Sequence, residues 1–263
     1  MTNQMTGETV GDLMRDWRRR RRMSQLDLSL EAEVSTRHLS FVESGRASAS
    51  RDLLQRLGER LAMPLRERNR LFVAGGYAPT HPARPLDAPE MAAAMATIRT
   101  VLDAHCPFPA LAVDRLWNLK LANAPALRLL DGLPARLVTP PVDVLRATLD
   151  PDGLAPRIVN LAEWRHHILG RLKADATATG DPELAALHDQ LAAIPTAPGK
   201  TRPPPVARVA VPLLLRMPDG AILSLLSMTT VFGTANDVTL SELTLESFFP
   251  ADEATRAWFL KDR

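Results

Sequence analysis

The stretch from residue 24 to residue 46 constrains the fold of this chain more than any other. Ser24 is a favourable helix N-cap, and Asp27 follows it at the three-residue spacing of a capping box. Ser35 can cap a second helix, and Gly45 can end that helix in the left-handed conformation that glycine enters without steric cost. The spacing therefore predicts two short helices joined by a tight turn.

Two helices joined in this way form a helix-turn-helix, whose second helix enters the major groove of DNA. Gln25, Val34-Ser35 and Glu43-Ser44-Gly45-Arg46 resemble the corresponding residues of the Xre/Cro repressor family. The resemblance extends from Gly11 to about Gly76. It implies an all-α, five-helix, lambda-repressor-like DNA-binding bundle. The competing interpretation is a plain helical hairpin with a solvated polar face.

Two departures from the family bear on the turns of this region. The family often has Gly at the position that Glu33 occupies here. If this position requires a positive φ, Glu33 adopts it at a cost of about 1 kcal/mol. The family also often has Pro where this chain has Ala49. Neither departure removes a residue expected to contact DNA.

The resemblance also implies which side chains contact DNA. The residues expected to contact base edges are Thr36, Arg37 and His38, and Ser40 and Phe41 lie one turn further along the same helix. The residues expected to contact phosphates are Gln25 and Arg46. Arg37 can donate two hydrogen bonds to guanine, which is the commonest specific base contact. Five consecutive arginines occupy residues 18–22, and for some of them we favour phosphate contact over a solvated helix end.

Composition limits the classes of protein to which the chain can belong. Its 263 residues suffice for two domains, and no apolar run reaches the roughly 20 residues of a membrane-spanning helix. The N-terminus lacks an apolar signal region, so we expect a cytoplasmic protein without a membrane partner. Residues 1–75 carry 14 Arg against 10 Asp or Glu, so the basic excess coincides with the helix-turn-helix, as a double-stranded DNA partner requires.

Proline content and hydrophobic periodicity divide the chain into segments. Residues 1–9 have no pattern and are expected to be disordered, and residues 10–77 hold the five helices of the DNA-binding domain. Residues 78–89 contain four prolines and indicate a stiff linker. Residues 90–263 form the second domain, which begins with a helix and a hairpin at 110–122.

The remainder of the second domain is predicted to contain several helices and then three strands. The strands are expected at 206–217, 221–232 and 238–246, after a loop with five prolines at 195–205. Together with the hairpin they make a five-stranded antiparallel sheet in an α+β domain. This order of elements is that of a PAS-like sensor domain.

Four segments of the second domain resemble the MmyB-like ligand-binding domain, which its family joins to an Xre-type DNA-binding domain. They are Ala110–Leu119, Pro151–Arg165, Thr179–Leu184 and Thr229–Thr234. The resemblance implies a bacterial, sequence-specific transcription regulator that senses a small apolar ligand, with a fatty acid as the leading candidate. The alternative is a second domain that serves only dimerisation or protein docking. We expect a homodimer, because one small bundle reads only half of a two-fold operator.

Candidate ligand contacts in the second domain are Trp117, Arg146, Trp164, Arg165 and Thr230. The tryptophans could be core as well as pocket wall, each arginine could hold a ligand carboxylate or pair with a nearby carboxylate, and the threonine could simply fill a strand position. His166 and His167 point about 100° apart on a helix, so we expect no metal site there. We find no nucleotide-binding or nucleophile motif, and we expect neither an enzyme nor a cofactor.

Overall fold

Side-chain caps determine where most of the first five helices begin. In the computed structural model, Thr9 and Ser24 form capping boxes with the Asp three residues later, and Ser35 and Ser50 each accept a backbone hydrogen bond. The five helices are α1 (Val10–Arg20), α2 (Gln25–Glu31), α3 (Thr36–Glu43), α4 (Arg51–Arg60) and α5 (Leu65–Ala74). Their number and order confirm the predicted five-helix bundle.

The bundle has one apolar core to which every helix contributes. One leucine or methionine from each helix has no exposed surface, namely Met14, Leu28, Leu39, Leu57 and Leu71. Full burial of such a side chain contributes about 1.5–3 kcal/mol. Helices this short are marginal in isolation, so the shared core stabilises them more than their intrinsic propensity does.

The backbones of α1 and α3 approach each other closely at Gly11. A Cβ atom on Gly11 would lie 2.3 Å from the backbone oxygen of Glu43 and 3.0 Å from that of Val42. Only a residue without a side chain fits there unless one of the two helices shifts. Gly11 therefore fixes how closely α1 crosses the end of α3.

The side chain of Asn69, on α5, binds the chain that follows the bundle. Its Oδ1 accepts hydrogen bonds from the backbone N–H groups of Thr80 and His81, both at 3.0 Å. Its Nδ2 donates to the backbone oxygen of His81 at 2.6 Å. These three hydrogen bonds attach the beginning of the proline-rich segment 78–89 to α5.

The structure describes residues 7–195 and 210–261, and the chain divides into two compact units. The units are Met1–Ala83 with Ala235–Val238, and Arg84–Thr234 with Thr239–Arg263. The division after Ala83 falls inside the segment predicted to be a linker. Most of the predicted disordered N-terminus and of the predicted loop at 195–205 lies outside the described residues.

A five-stranded antiparallel sheet organises the C-terminal region, as predicted. Its strands are β1 (Ala110–Val113), β2 (Leu119–Ala122), β3 (Leu213–Arg216), β4 (Ile222–Val231) and β5 (Thr244–Pro250). Their order across the sheet is β2-β1-β5-β4-β3, so β5 joins the early hairpin to the later strands. The helices of this region are α6 (Ala92–Ala104), α7 (Ala124–Leu129), α8 (Ala135–Val138), α9 (Val144–Leu149), α10 (Leu161–Thr179), α11 (Pro182–Ala192), α12 (Val238–Ser241) and α13 (Glu253–Leu260).

Different helices cover the two faces of the sheet. Side chains alternate between the faces along each strand. Leu225 of β4 shares a core with Ile168 of α10 on one face. Ala112 of β1 and Leu245 of β5 share a separate core with Ile98 of α6 on the other face. The long helix α10 and the face of the sheet beneath it are thus the two sides of one apolar layer.

One predicted strand is wrong in its first half. Residues 238–246 were expected to be extended, but Val238–Ser241 form the short helix α12 and the strand runs over Thr244–Pro250 instead. A short apolar run with β-branched residues fits a buried helical turn as well as a strand, so periodicity alone cannot separate the two. The strand predicted at 206–217 is also shorter, spanning Leu213–Arg216, and residues 206–209 lie outside the described residues.

Candidate functional site

The residues predicted to contact DNA lie on and around the accessible side of α3. Thr36 and Arg37 are exposed, as is Arg46 just after the helix, whereas Leu39 and Val42 are buried in the bundle. The other predicted contacts are half-buried, namely Gln25, His38, Ser40 and Phe41. The apolar positions of α3 thus anchor the helix while most of its polar residues face outward.

Two arginines flank the ring of Phe41. The guanidinium carbon of Arg37 lies 5.3 Å from the ring centroid, and that of Arg46 lies 6.0 Å from it. Both distances are within the range of a cation–π contact. Phe41 therefore serves as a platform that brings two positive charges together at the surface, which suits a polyanionic partner.

The turn before α3 is fixed by contacts on both of its sides. The hydroxyl groups of Ser29 and Thr36 are 2.9 Å apart, and the backbone N–H of Val34 donates to the backbone oxygen of Ser29 at 3.0 Å. Glu33 has a φ of 53°. At this positive φ, glutamate costs free energy that glycine would not cost.

A buried carboxylate connects α3 to the start of α2. Glu43 accepts hydrogen bonds from Arg18 at 2.7 and 3.0 Å and from Gln25 at 2.8 Å, and its side chain is only 3% exposed. Burial raises the pKa of Glu43, but the hydrogen bonds from Arg18 and Gln25 outweigh it and hold the pKa below its ordinary value. Gln25, predicted to contact phosphate, is therefore held in place by Glu43.

Two arginines of the run at 18–22 have structural partners. Arg18 pairs with Glu43, and Arg21 donates to the backbone oxygens of Leu61 and Ala62 at 2.8 and 2.9 Å. These contacts tie α1 to α3 and to the end of α4. Sequence reasoning treated all five arginines alike, because it could not identify which of them faced the bundle.

The second unit contains a narrow, mostly apolar cavity between α10 and the sheet. Its free volume is about 50 Å³, which accommodates a few water molecules. Its apolar wall is formed by Leu111, Val144, Leu145, Ile168, Leu172 and Phe248. Its remaining lining residues are Trp117, Thr148, Trp164, His167, Arg171, Ser227 and Glu246.

A partly buried ion pair lies at this cavity. Arg171 of α10 donates to Glu246 of β5 at 2.5 Å, and the hydroxyl of Thr229 on β4 donates to the same oxygen at 2.9 Å. The Glu246 side chain is 3% exposed. The guanidinium of Arg171 also lies 4.8 Å from the centroid of the Trp117 ring. Arg171 is therefore engaged by a carboxylate and an aromatic face together.

Trp117 reaches the cavity from a strained position in the turn between β1 and β2. Its φ is 62°, which is rare for a bulky residue. Asp114 supports this turn, because its Oδ1 accepts from the backbone N–H groups of Leu116 and Asn118, both at 2.9 Å. The N–H of Trp117 donates to the backbone oxygen of Asp114 at 2.9 Å. Such strain is found disproportionately at functional sites.

Of the five candidate ligand contacts, Trp117 and Trp164 line the cavity, and the other three do not. Arg146 pairs with Asp143 at 3.5 Å, and Arg165 donates to backbone oxygens at the end of α11. Each arginine directly follows a cavity residue on its helix and so points about 100° away from it. Thr230 lies on β4 next to Thr229 and faces the opposite side of the sheet, because strand side chains alternate.

Sequence reasoning missed Arg171 and Glu246, which line the cavity together with His167. A signal for Arg171 was present on α10. His167 and Arg171 stand three and seven residues after Trp164, so they share the face that also carries Ile168. A basic residue within the apolar face of a helix thus indicates a position that lines a cavity.

Family comparisons match both parts of the chain. A model described as the MmyB-like transcription regulator ligand binding domain matches residues 94–260, which is more than half of the chain. The chain belongs to this family. A helix-turn-helix model matches residues 14–68 of the same MmyB-like regulator. The chain is thus a DNA-binding transcription regulator with a ligand-binding domain, and neither matching family is an enzyme family.

Comparisons with individual proteins add little to the family assignment. No curated protein matches this MmyB-like regulator. A solved structure titled "Structure of an RNA-binding Light-Oxygen-Voltage Receptor" aligns with 99% of the chain at 15% identity and a TM-score of 0.28. The chain spans 63% of the length of that protein, and a likeness at this score supports no conclusion. Among the described helices, none combines the length and the apolar character needed to span a membrane.

Proposed function

We propose that this regulator is a homodimer that binds a specific two-fold DNA site and whose second domain senses a small apolar ligand. A fatty acid is the leading candidate for that ligand. The observation that carries the proposal is the apolar cavity between α10 and the sheet, which is lined by the ion pair of Arg171 and the buried Glu246. Such a cavity, apolar with a few placed polar groups, is typical of small-molecule sites.

The DNA-reading part of the proposal rests on the accessible side of α3. Arg37 and Arg46 flank Phe41 at a surface where Thr36 is also exposed. We assign base contacts to Thr36, Arg37 and His38, and phosphate contacts to Gln25 and Arg46. The resemblance to the Xre/Cro and MmyB-like families supports a cytoplasmic protein of a bacterium.

The size of the cavity sets a condition on ligand binding. A free volume of about 50 Å³ is too small for an acyl chain, since ligand pockets typically measure about 300–1,000 Å³. Binding of a fatty acid therefore requires the apolar side chains between α10 and the sheet to rearrange and widen the cavity. A ligand that binds only the opened form would shift the protein towards it, and this shift is the signal that the DNA-binding domain would read.

Denaturing extraction of the purified protein, followed by mass spectrometry, tests the ligand. We expect a stoichiometric apolar molecule, and the DNA affinity of the full chain should then differ between the loaded and the stripped protein. An empty extract, together with DNA binding that no added fatty acid alters, would contradict the sensor function.

The small volume of the cavity favours one competing function. If the cavity stays closed, the second domain serves dimerisation or protein docking alone. In that case stripped and loaded preparations would be indistinguishable in DNA affinity, while removal of the second domain would still weaken DNA binding through loss of the dimer.

A further inference from the structure

The charges that line the cavity balance each other. Among the described residues that line it, only Arg171 and Glu246 carry permanent opposite charges, and they are in direct contact at 2.5 Å. The guanidinium is also covered by Trp117 on one face. The described part of the cavity lining therefore offers no cation that is free to pair with an anionic ligand.

His167 does not supply the missing positive charge. Burial lowers its pKa, and the neighbouring Arg171 lowers it further, while Glu246 only partly compensates. The lowered pKa favours the uncharged imidazole. An ionised carboxylate entering here would lose its hydration while Arg171 is already paired with the almost completely buried Glu246, so its charge would stay uncompensated.

One donor at the cavity lacks an acceptor. Trp164 lines the cavity and is 6% exposed, and within the described residues its indole Nε1–H has no hydrogen-bond partner. Buried polar groups in proteins are nearly always hydrogen-bonded, so such a donor calls for an explanation. A neutral oxygen acceptor on a bound ligand would satisfy this donor without adding charge.

We propose that the cavity selects apolar molecules with an uncharged, hydrogen-bond-accepting headgroup, such as an amide or an ester, over ionised carboxylates. The inference rests on the proposed ligand function and specifies its chemistry. A fatty acid fits the site in its protonated form, in which the carboxyl group carries no charge. Trp164 donates to the headgroup, and the pair of Arg171 and Glu246 stays intact.

A series of ligands with matched chains tests this selection in the full-length protein. Decanamide, methyl decanoate and decanoate share one chain and differ in headgroup charge at neutral pH. We expect decanamide and methyl decanoate to bind at least about tenfold more tightly than decanoate by isothermal titration calorimetry. Tighter binding of decanoate in the wild type would overturn the inference and leave the ligand function standing.

The variant Glu246→Gln removes the buried negative charge and leaves Arg171 without the carboxylate that it contacts directly. We expect its preference to move towards decanoate by at least about tenfold relative to the wild type. Glu253→Gln makes the same change at an exposed residue outside the cavity lining, and its preference should stay that of the wild type. An equal shift in both variants would attribute the effect to net charge and overturn the inference.

Two outcomes separate this inference from the function on which it rests. If Glu246→Gln does not fold, the comparison of the three ligands in the wild type still decides the headgroup. If no acid, amide or ester of any chain length binds the wild type, the ligand function itself is wrong and the headgroup selection falls with it. A downfield shift of the Trp164 indole proton with decanamide, absent in Trp164→Phe, would support the assigned hydrogen bond.

Discussion

At the scale of single residues, the positive φ of Glu33 is a source of strain that can be removed. A non-glycine residue in the left-handed conformation costs about 1–2 kcal/mol, which a substitution by glycine would recover. The greater conformational freedom of glycine in the unfolded chain offsets about 0.5–1 kcal/mol of that recovered stability. Glu33→Gly should therefore stabilise the helical bundle by up to about 1 kcal/mol. Hydrogen exchange of the slowest amides in α1–α4 measures this.

Glu31→Gly is the matched control for that variant. Glu31 is also an exposed glutamate, but it lies within α2, where glycine is expected to destabilise by about 0.5–1 kcal/mol. The two substitutions should thus have opposite signs. If both destabilise the bundle, Glu33 is not strained.

The buried carboxylate of Glu43 makes the stability of the bundle depend on pH. Because its pKa in the folded chain lies below the ordinary value of 4.5, the unfolded chain binds a proton first as the pH falls. The stabilisation is fully present above about pH 4.5 and is lost below it, as the pH falls through the folded pKa. The pH dependence of urea unfolding should therefore be shallower in Glu43→Gln.

That variant should also lose stability at neutral pH, towards the lower end of the roughly 3–5 kcal/mol for breaking a buried pair, because glutamine still accepts a hydrogen bond from Arg18. Asp12 and Asp27 have lowered pKa values through hydrogen bonds from their helix caps, so some acid sensitivity will remain. An unchanged acid profile in Glu43→Gln would mean that the pair with Arg18 does not lower this pKa.

Arg37 is the residue whose loss should change specificity. Arg37→Ala is expected to cost about 1–3 kcal/mol on a site selected from random duplexes and to relax base preference at one position. Arg60→Ala removes the same charge from an exposed position on α4 and controls for charge alone. Fluorescence anisotropy on selected and scrambled duplexes separates the two effects. An equal loss on both duplexes would make Arg37 a phosphate contact.

The limits of residue-level inference appear most clearly at the cavity. Trp117 and Trp164 were identifiable as wall residues because large aromatic side chains in such a domain are core or pocket. Arg146 and Arg165 missed the cavity by one position, since a shift of one residue turns a helix by 100°. Thr230 lies on the face of β4 opposite to the one that carries Ser227. Such one-residue choices require the register of the sheet and the rotation of the helix, which the sequence does not determine by itself.

At the scale of elements, the attachment of residues 80–81 to α5 depends on one side chain. Asn69→Ala removes all three hydrogen bonds, so the amides of Thr80 and His81 should lose their protection from hydrogen exchange. Asn69→Asp keeps the acceptor for both amides and should retain much of that protection. Equal exchange in wild type and Asn69→Ala would show that other contacts hold the segment.

Elements with local start signals were the most predictable. Ser24, Ser35 and Ser50 cap their helices within the bundle as the sequence indicates, because capping involves residues only three positions apart. The strand expected at 238–246 has no such local signal for its start. There, the pairing of β5 with β1 and β4 decides where the strand begins, and that pairing joins residues more than 100 positions apart for β1.

At the scale of the whole molecule, the proposed dimer has a measurable mass. Sedimentation equilibrium should give twice the 28.8 kDa of a single chain, and sites selected by the protein should be two-fold symmetric. Their half-sites should lie about 34–36 Å apart or at a multiple of that spacing. A monomer that selects asymmetric sites would contradict the dimer.

Domain order was the easiest property to infer at this scale, and relationships between distant residues were the hardest. The turn chemistry around Gly45 and the proline-rich segment after the bundle both act locally. The pair of Arg171 and Glu246 joins a helix to a strand 75 residues later, and no periodicity of either element signals the other. Long-range pairs of this kind depend on how α10 packs against the sheet.

The close crossing at Gly11 restricts which substitutions this protein can accept during evolution. Every missense substitution of a glycine codon introduces at least one carbon where the Glu43 backbone leaves 2.3 Å. The exposed positions of α1 tolerate many replacements, but a replacement at Gly11 displaces the end of the helix that presents Arg37 and Phe41. A base preference that evolves on α3 therefore persists only while Gly11 is retained on α1.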